Sequence, residues 1–170
     1  MTREPGRRGA AADLTLRGLR PGDIGWIVHR HAVVYSAEQG WDERFESLVA
    51  RVLADFGAGH DPDRERAWIA ERDGRFLGCV FLMEGEGNAA RLRMLLVEPE
   101  ARGTGLGTRL VDECVTFARA AGYERVGLWT NDVLRPARRL YKRAGFRLVR
   151  SEPHRLFGEG LVGEHWELAL

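Results

Sequence analysis

The residues best suited to chemistry form one short loop, Arg102-Gly103-Thr104-Gly105-Leu106-Gly107. Its three glycines alternate, and glycine lets backbone N–H groups turn toward a ligand with no Cβ in the way. A helical pattern follows directly, and the start of a helix adds unpaired N–H donors and a partial positive charge. Arg102 contributes a full charge. The loop therefore predicts a site that cradles a phosphate or pyrophosphate.

Two other classes of phosphate-binding loop fail on their own residue requirements. A Walker loop needs Gly-Lys-Ser/Thr, and the sequence contains no such triplet. A dinucleotide-binding fingerprint needs Gly-x-Gly-x-x-Gly, but Thr108 stands at the third glycine position. Three predicted antiparallel strands also precede the loop, whereas that fingerprint opens a βαβ unit. A glycine-rich turn that binds nothing is the weaker alternative.

Hydrophobic spacing and turn residues predict the elements that position this loop. The order is mixed, because a run of hairpins is followed by β-α-β-α-β. It predicts a mixed α/β fold: a mostly antiparallel sheet of about seven strands, with a parallel pair in its middle and helices on both faces. The expected strands cover 14–17, 67–70, 76–83, 91–97, 125–130, 146–150 and 165–170, and the expected helices cover 23–36, a segment from about 41 to 56, 105–121 and 136–144.

Two motifs in the expected order resemble those of the GNAT family of N-acetyltransferases. The first is Arg-x-x-Gly-x-Gly in the loop, and the second runs from Asn131 through Tyr141 to Gly145-Phe146. The resemblance extends from Leu14 to Leu170. It implies the GNAT fold, acetyl-CoA as cofactor, and an enzyme that transfers an acetyl group to a primary amine by direct attack in a ternary complex.

The resemblance also implies roles for individual residues. Tyr141 matches the family tyrosine that donates a proton to the departing thiolate, although a core tyrosine beside Leu140 is the alternative. A backbone N–H near Leu96 or Val97 would stabilise the developing oxyanion. The implied cofactor contacts are Leu95, Leu96 and Val97 for the pantetheine arm, Arg102, Gly103, Thr104, Gly105, Leu106, Gly107 and Thr108 for the pyrophosphate, and Asn131, Arg138 and Tyr141 on the far side.

A base is also needed, because an unperturbed alkyl amine has a pKa of about 10 and is mostly protonated at neutral pH. Glu46 is the candidate, since the second helix borders the acceptor pocket in this family and a carboxylate there could act through a water. Glu43 and Glu98 stay open as alternatives. A solvated carboxylate is the competing interpretation for all three.

Aromatic and histidine residues are dense where the first two helices join. His31 and Tyr35 are four residues apart and share a helix face, as do Trp41 and Phe45. We predict that these four, completed by Trp129, line a pocket for a small-molecule or amino-acid-like amine. Packing of the aromatic residues in the core is the alternative. A protein or peptide acetyltransferase, or a CoA-binding regulatory module without turnover, are the alternative functions.

Composition limits the partners and the location. The net charge is +1 and no stretch is apolar enough to cross a bilayer, so we expect neither nucleic acid nor membrane as a partner. Lys142 is the only lysine, which indicates a GC-rich genome. We also expect the protein to be bacterial. Cys79 and Cys114 each lie in an apolar run, which predicts buried thiols and no bound metal. Because the sequence shows neither a disulfide framework nor a signal sequence, we expect a cytoplasmic protein.

One domain is expected over residues 13–170, after a disordered tail over 1–12 rich in arginine, glycine and alanine. The segment also resembles acetyltransferase domains that follow MarR-type regulators in some bacterial chains, but no DNA-binding region precedes Leu14. A homodimer is an open alternative, with the final strand and its Trp166 supplying an edge.

Overall fold

The computed structural model describes residues 13–170, so the predicted tail over 1–12 lies outside the described part. The strands in that part are β1 (Thr15–Arg17), β2 (Arg66–Arg72), β3 (Arg75–Glu84), β4 (Ala89–Val97), β5 (Arg125–Asn131), β6 (Arg147–His154) and β7 (Leu161–Ala169). The α-helices are α1 (Asp23–Gln39), α2 (Glu43–Gly59), α3 (Leu106–Ala120) and α4 (Arg135–Arg143), and a 3-10 turn covers Pro99–Ala101.

All seven strands join in one sheet of order β1-β2-β3-β4-β5-β7-β6. Every neighbouring pair is antiparallel except β4 and β5, which run parallel at the centre. Helices α1 and α2 pack on one face and α3 and α4 on the other, because each carries an apolar stripe at helical spacing. The predicted fold class is therefore confirmed.

The stripes that the sequence indicated for α2 and α3 do face the sheet. In α2 the buried residues are Val49, Val52, Leu53 and Phe56, and in α3 they are Leu106, Leu110, Val111, Cys114 and Ala118. Burial of such side chains contributes roughly 1.5–3 kcal/mol each to folding. The buried residues of α2 and α3 pack against opposite faces of the central strands. This packing fixes the positions of the edges of β4 and β5 that form the site.

The last hairpin differs from its prediction. β6 continues to His154 and β7 begins at Leu161, because residues 151–154 pair with residues 161–164. This stretch of β6 is polar and contains Pro153, so it shows no apolar alternation, but an edge strand tolerates both features. β7 returns between β5 and β6 and is paired on both sides, so the suggestion that it supplies an open edge for a homodimer is wrong.

α1 begins at Asp23 as expected and continues three residues beyond its expected end, to Gln39. Its N-cap is Gly22, in a left-handed conformation, and no side chain caps the helix. The Asp23 carboxylate instead accepts hydrogen bonds from the Arg17 guanidinium at 2.7 Å and from the Arg20 backbone N–H at 2.6 Å. Asp23 therefore ties α1 to the end of β1 rather than capping the helix.

Both cysteine thiols are buried, as predicted. Burial raises the pKa of Cys79 and of Cys114, so neither forms the reactive thiolate at neutral pH. We expect Ellman's reagent to titrate no thiol in the native protein and two after denaturation in guanidinium chloride. A rapid native reaction of even one thiol would contradict this burial. The result matters for function, because an unreactive protein adds no background to an assay of released coenzyme A.

Candidate active site

The central feature of the site is the separation of β4 from β5. The two strands are paired only where Ala89–Arg91 meet Arg125–Gly127, and beyond that point they diverge. Met94 adopts a left-handed φ of 54°, and the register between β3 and β4 shifts at the same place, which marks a β-bulge. A cleft of about 420 Å³ opens between the strands, lined on β4 by residues up to Leu95.

The diverging edge of β4 presents free backbone groups to this cleft. The Leu96 backbone N–H lies on the opposite side, because Leu96 pairs with Cys79 in the ladder between β3 and β4. The Glu98 N–H likewise donates to the Leu77 carbonyl in β3, at 2.8 Å. Since alternate N–H groups of a strand point to opposite edges, the Val97 N–H is directed toward the cleft. Of the two backbone donors suggested for an oxyanion, the structure thus favours Val97 over Leu96.

The glycine-rich loop follows β4 at the carboxyl end of this edge. Gly103 and Gly105 have φ of 75° and 85°, and no other heavy atom lies within 4 Å of where a Cβ would stand at either position. α3 begins at Leu106, and no side chain caps its first N–H groups. The loop therefore offers open space beside unpaired donors, which fits a pyrophosphate. Leu106 can contribute only its backbone, because its side chain is buried in the core.

The remaining loop residues are exposed or support the turn. The Thr104 hydroxyl donates to the Ala101 carbonyl at 2.6 Å and so stabilises the loop from within. Thr108 is exposed in the first turn of α3, and Gly107 packs close to Leu140. The Arg102 guanidinium lies 2.7 Å from the Glu38 carboxylate at the end of α1. Arg102 thereby links the loop to the helix whose other residues line the cleft.

Tyr141 and Asn131 line the cleft from the side of β5 and α4. Tyr141 is 5% exposed, and its hydroxyl has no hydrogen-bond partner among residues 13–170. Burial, with a smaller contribution from Tyr35, raises the pKa of Tyr141 well above its usual value, so the hydroxyl keeps its proton. Asn131 is also buried, and its Oδ1 lies 2.7 Å from His154 Nε2. The structure brings both motif residues to the same cleft as the β4 edge.

Arg138 stands apart from these residues. Its Nε donates at 2.9 Å to Glu164, a buried carboxylate that also accepts from the Trp166 indole at 3.0 Å. Its charge is thus already matched inside the protein, and it is absent from the cleft lining. A direct contact between Arg138 and the cofactor remains a prediction.

The five residues predicted for the acceptor pocket all line this cleft: His31, Tyr35, Trp41, Phe45 and Trp129. Tyr35 stacks on Trp41 with ring centroids 5.0 Å apart and an interplanar angle of 7°, and Phe45 meets both rings edge-on. The core alternative is also correct in part, since Trp41 is buried. Burial raises the pKa of Tyr35 to about 12, so this phenol is neutral as well.

Sequence reasoning missed Phe157, which completes this aromatic cluster at 4.6 Å from Trp41. It lies in the loop between β6 and β7, where no periodic pattern could identify it as buried. Reasoning from motifs also missed the charged residues of the cleft wall. These are Glu86, Arg91, Arg93, Arg125, His165 and Glu167. Arg91 and Arg93 did carry a signal, because arginines at period two in a central strand mark one polar strip.

None of the three carboxylates suggested as the base lines the cleft. Glu46 and Glu43 are exposed on α2 and do not contribute to the cleft lining. Glu98 is 4% exposed and accepts a two-pronged ion pair from Arg30, at 2.7 and 2.8 Å. Its interpretation as a solvated turn carboxylate is therefore wrong, and its lone pairs are already engaged. Glu46 remains a prediction that would require a bridging water.

Residues 13–170 contain neither a candidate metal site nor a helix suited to span a membrane. Nowhere in 13–170 do three or more histidine, cysteine, aspartate or glutamate side chains gather as a metal site would require. The helices of that range also fall short of the length and apolarity that a membrane span needs.

Comparison with known proteins agrees with the fold and the motifs. The model of the acetyltransferase (GNAT) family matches residues 30–146. An uncharacterised N-acetyltransferase of Schizosaccharomyces pombe is 34% identical over 126 residues, which cover 71% of this chain and 73% of that protein. A mycothiol acetyltransferase of Thermomonospora curvata is 32% identical over 137 residues, 78% of this chain but only 44% of the relative.

Solved structures show the same architecture. A GNAT-family acetyltransferase of Streptococcus agalactiae superposes with a TM-score of 0.75 at 17% identity, covering 92% of this chain and 98% of the other. A protein of Bacillus anthracis, solved in complex with acetyl coenzyme A, gives 0.60 at 18% identity over 68% of each chain. The chain therefore belongs to the GNAT family of acetyltransferases, which confirms the predicted family, enzyme class and acetyl-CoA cofactor.

Proposed function

We propose that this protein transfers the acetyl group of acetyl-CoA to the primary amine of a small or amino-acid-like molecule, with both reactants bound together. One observation carries the proposal. The Tyr141 hydroxyl, which has no hydrogen-bond partner within residues 13–170, lies at a cleft bounded by the free edge of β4 and by the pocket of His31, Tyr35, Trp41 and Phe45. Donor edge, proton donor and acceptor pocket thus share one space.

Each part of the cleft has a separate task. Acetyl-CoA supplies the acetyl group as a reactive thioester. The loop from Arg102 to Thr108 holds its phosphates, and the edge at Leu95 pairs with the pantetheine arm. The Val97 N–H stabilises the carbonyl oxygen as it gains negative charge. Tyr141 donates its proton to the departing sulfur, which its raised pKa allows across the physiological range.

The dimensions of the cleft favour a small acceptor. The whole cleft, which must also hold the acetyl end of the cofactor, has a volume of about 420 Å³. This lies near the lower end of the roughly 300–1,000 Å³ that is typical of small-molecule sites, so the part left for the acceptor is small. The rings of Trp41, Phe45 and Trp129 form part of the cleft lining and can pack against the apolar part of such a molecule. A peptide substrate would need an open groove instead. Glu46, acting through a water, is proposed to take the proton of the attacking amine.

The wider biological assignments are proposals too. We propose a bacterial, cytoplasmic enzyme that binds no nucleic acid, as the modest net charge of +1 suggests. Kinship with the acetyltransferase domains that follow MarR-type regulators is likewise a proposal. So is a homodimer, which would have to use a surface other than β7.

A thiol-release assay tests the transferase function directly. Purified protein is incubated with acetyl-CoA and a panel of amines, amino acids and aminoglycoside-type antibiotics, and free coenzyme A is measured with Ellman's reagent. We expect at least one amine to raise thiol release above the rate without acceptor, with the N-acetylated product identified by mass spectrometry. Binding of acetyl-CoA without turnover of any amine would overturn the proposal and favour a non-catalytic CoA-binding module.

A further inference from the structure

Arg93 is a partly buried cation in the cleft wall that has no counter-charge among residues 13–170. Arg93 lies on β4, opposite Phe81 of β3, and directly opposed residues share a face of the sheet. Phe81 packs under α1 and α2, so the Arg93 side chain lies on that same face, beside the acceptor pocket. Arg93 is partly buried, and burial followed by repulsion from Arg91 lowers its pKa. No carboxylate within residues 13–170 forms an ion pair with it.

The other charged groups of this wall do not compensate for Arg93. Arg91 adds a second positive charge. Within the described residues, the Arg125 guanidinium donates a single hydrogen bond, to the Glu86 carbonyl at 3.5 Å, and meets no carboxylate at ion-pair distance. The carboxylates of Glu86 and Glu167 line the cleft but are exposed, and each lies beyond ion-pair distance of both arginines in the described chain. His165 is paired with Glu152, at 3.0 Å. A desolvated guanidinium without a partner is costly, and an anionic ligand would offset that cost.

Two polar groups in the same cleft are also unsatisfied. His31 Nε2 and Trp41 Nε1 are buried and have no hydrogen-bond partner anywhere in the described residues. His31 Nδ1 lies 2.9 Å from the Ile27 carbonyl, so we assign the ring proton to Nδ1 and a free acceptor to Nε2. Burial lowers the pKa of His31 to about 4, which keeps the ring neutral. The wall thus offers one acceptor and one donor to a ligand that presents both.

The cofactor is not the source of the missing anion. Its phosphates belong on the loop that begins at Arg102, beyond the carboxyl end of β4. Arg93 lies before the bulge at Met94, nearer to where β4 and β5 part at Arg91. The free charge therefore faces the acceptor half of the cleft.

We propose that the acceptor carries a carboxylate as well as its primary amine, and that Arg93 binds this carboxylate. A guanidinium matches a carboxylate in planar, two-pronged geometry, and the single charge of the partly buried Arg93 balances a single negative charge. The rings of Trp41, Phe45 and Trp129 surround the rest of the molecule, which points to an amino acid or related amino-carboxylic acid with an apolar side chain. The inference rests on the proposed transferase function for its account of the amine.

Paired probes isolate the carboxylate. Thiol release is measured with a panel of apolar and aromatic amino acids and their amides, using the wild type, Arg93→Met and Arg93→Lys. For each protein we take the ratio of kcat/KM for the acid to kcat/KM for the amide. We expect this ratio to be at least tenfold higher in the wild type than in Arg93→Met. The lower kcat/KM of Arg93→Met for the acids should come from a higher KM. Arg93→Lys should recover part of the wild-type KM. Comparing ratios between proteins cancels the intrinsic difference in amine pKa between acid and amide.

Arg91→Met is the matched control, because Arg91 lies two residues away on the same face but is exposed. We expect its acid-to-amide ratio to stay within about threefold of the wild type. Thermal unfolding of Arg93→Met should show no loss of stability, since the variant removes an unpaired charge. An equal preference for acids and amides, or a ratio that Arg93→Met leaves unchanged, would overturn the carboxylate assignment while leaving the transferase function standing.

A binding measurement separates the two proposals when no amine turns over. Calorimetry with the N-acetylated amino acids and their amides, in the presence of coenzyme A, needs no catalysis. Binding of the acids that Arg93→Met weakens by tenfold or more would support the inference even if the transferase function had failed. Binding that does not depend on Arg93, or no binding across the panel, would refute it.

Discussion

The Tyr141→Phe variant should lose about 100-fold in kcat while its Kd for acetyl-CoA stays within about threefold of the wild type. Proton donation by a positioned side chain contributes about 10²–10⁴-fold to the rate, and phenylalanine keeps the ring that packs beside Phe146. Because the hydroxyl has no hydrogen-bond partner in the described chain, its removal should change the free energy of unfolding by less than about 0.5 kcal/mol. Steady-state kinetics, calorimetry and urea unfolding measure the three quantities.

Tyr123→Phe is the matched control. The Tyr123 hydroxyl donates at 2.9 Å to the Arg64 carbonyl, and neither residue lines the cleft, so this variant should lose about 1 kcal/mol of stability and keep the wild-type kcat. A Tyr141→Phe variant with wild-type turnover would show that Tyr141 is a core tyrosine and not the proton donor.

The pH profile gives a second test of Tyr141. Burial raises its pKa, so the hydroxyl stays protonated while the acceptor amine, with an ordinary pKa of about 10, loses its proton. The rate of the wild type should therefore rise with pH as the free amine increases, and Tyr141 should cause no decline below pH 10. A decline between pH 8 and 10 that disappears in Tyr141→Phe would contradict the raised pKa.

The loop and the helix that carries Tyr141 could be predicted from the sequence because their requirements are local, whereas Tyr141 itself was identified by the resemblance to the GNAT motif. Left-handed turns at Gly103 and Gly105 need glycine whatever surrounds them, and the start of α3 follows from the apolar stripe beyond it. Pro136 and Gly145 likewise bound the helix that carries Tyr141. Such features depend on residues a few positions apart, so spacing alone identifies them.

The acceptor wall could be predicted only in part, because its members meet through long-range pairing. Arg93 faces the pocket because it pairs with Phe81 across the β3–β4 ladder. The β-bulge at Met94 shifts the register of the residues that follow. Phe157 becomes buried only when the β6–β7 hairpin closes onto α1 and α2. The polar stretch that ends β6 is a strand because β7 pairs with it. Apart from the two-residue spacing of Arg91 and Arg93, none of these contacts leaves a periodic signal in the chain.

Gly105→Ala should weaken acetyl-CoA binding by about 30-fold, which corresponds to about 2 kcal/mol. Gly105 sits at a φ of 85° as the N-cap of α3. A side chain there is strained and turns the first N–H groups away from the bound phosphates, whose charge-assisted hydrogen bonds contribute about 1.5–3 kcal/mol each. Calorimetric titration with acetyl-CoA gives the Kd, and urea unfolding without ligand gives the stability.

Gly122→Ala makes the comparison decisive, because it places the same strain just beyond the other end of α3. Gly122 has a φ of 79°, and its Cβ position is as open as that of Gly105, with no other heavy atom within 4 Å. Both variants should lose about 1–2 kcal/mol of stability, but only Gly105→Ala should lose affinity for acetyl-CoA. Equal affinity in the two variants would place the pyrophosphate elsewhere. A loss confined to Gly105→Ala would show that the loop binds through its backbone, since the substitution removes no charge and no side-chain donor.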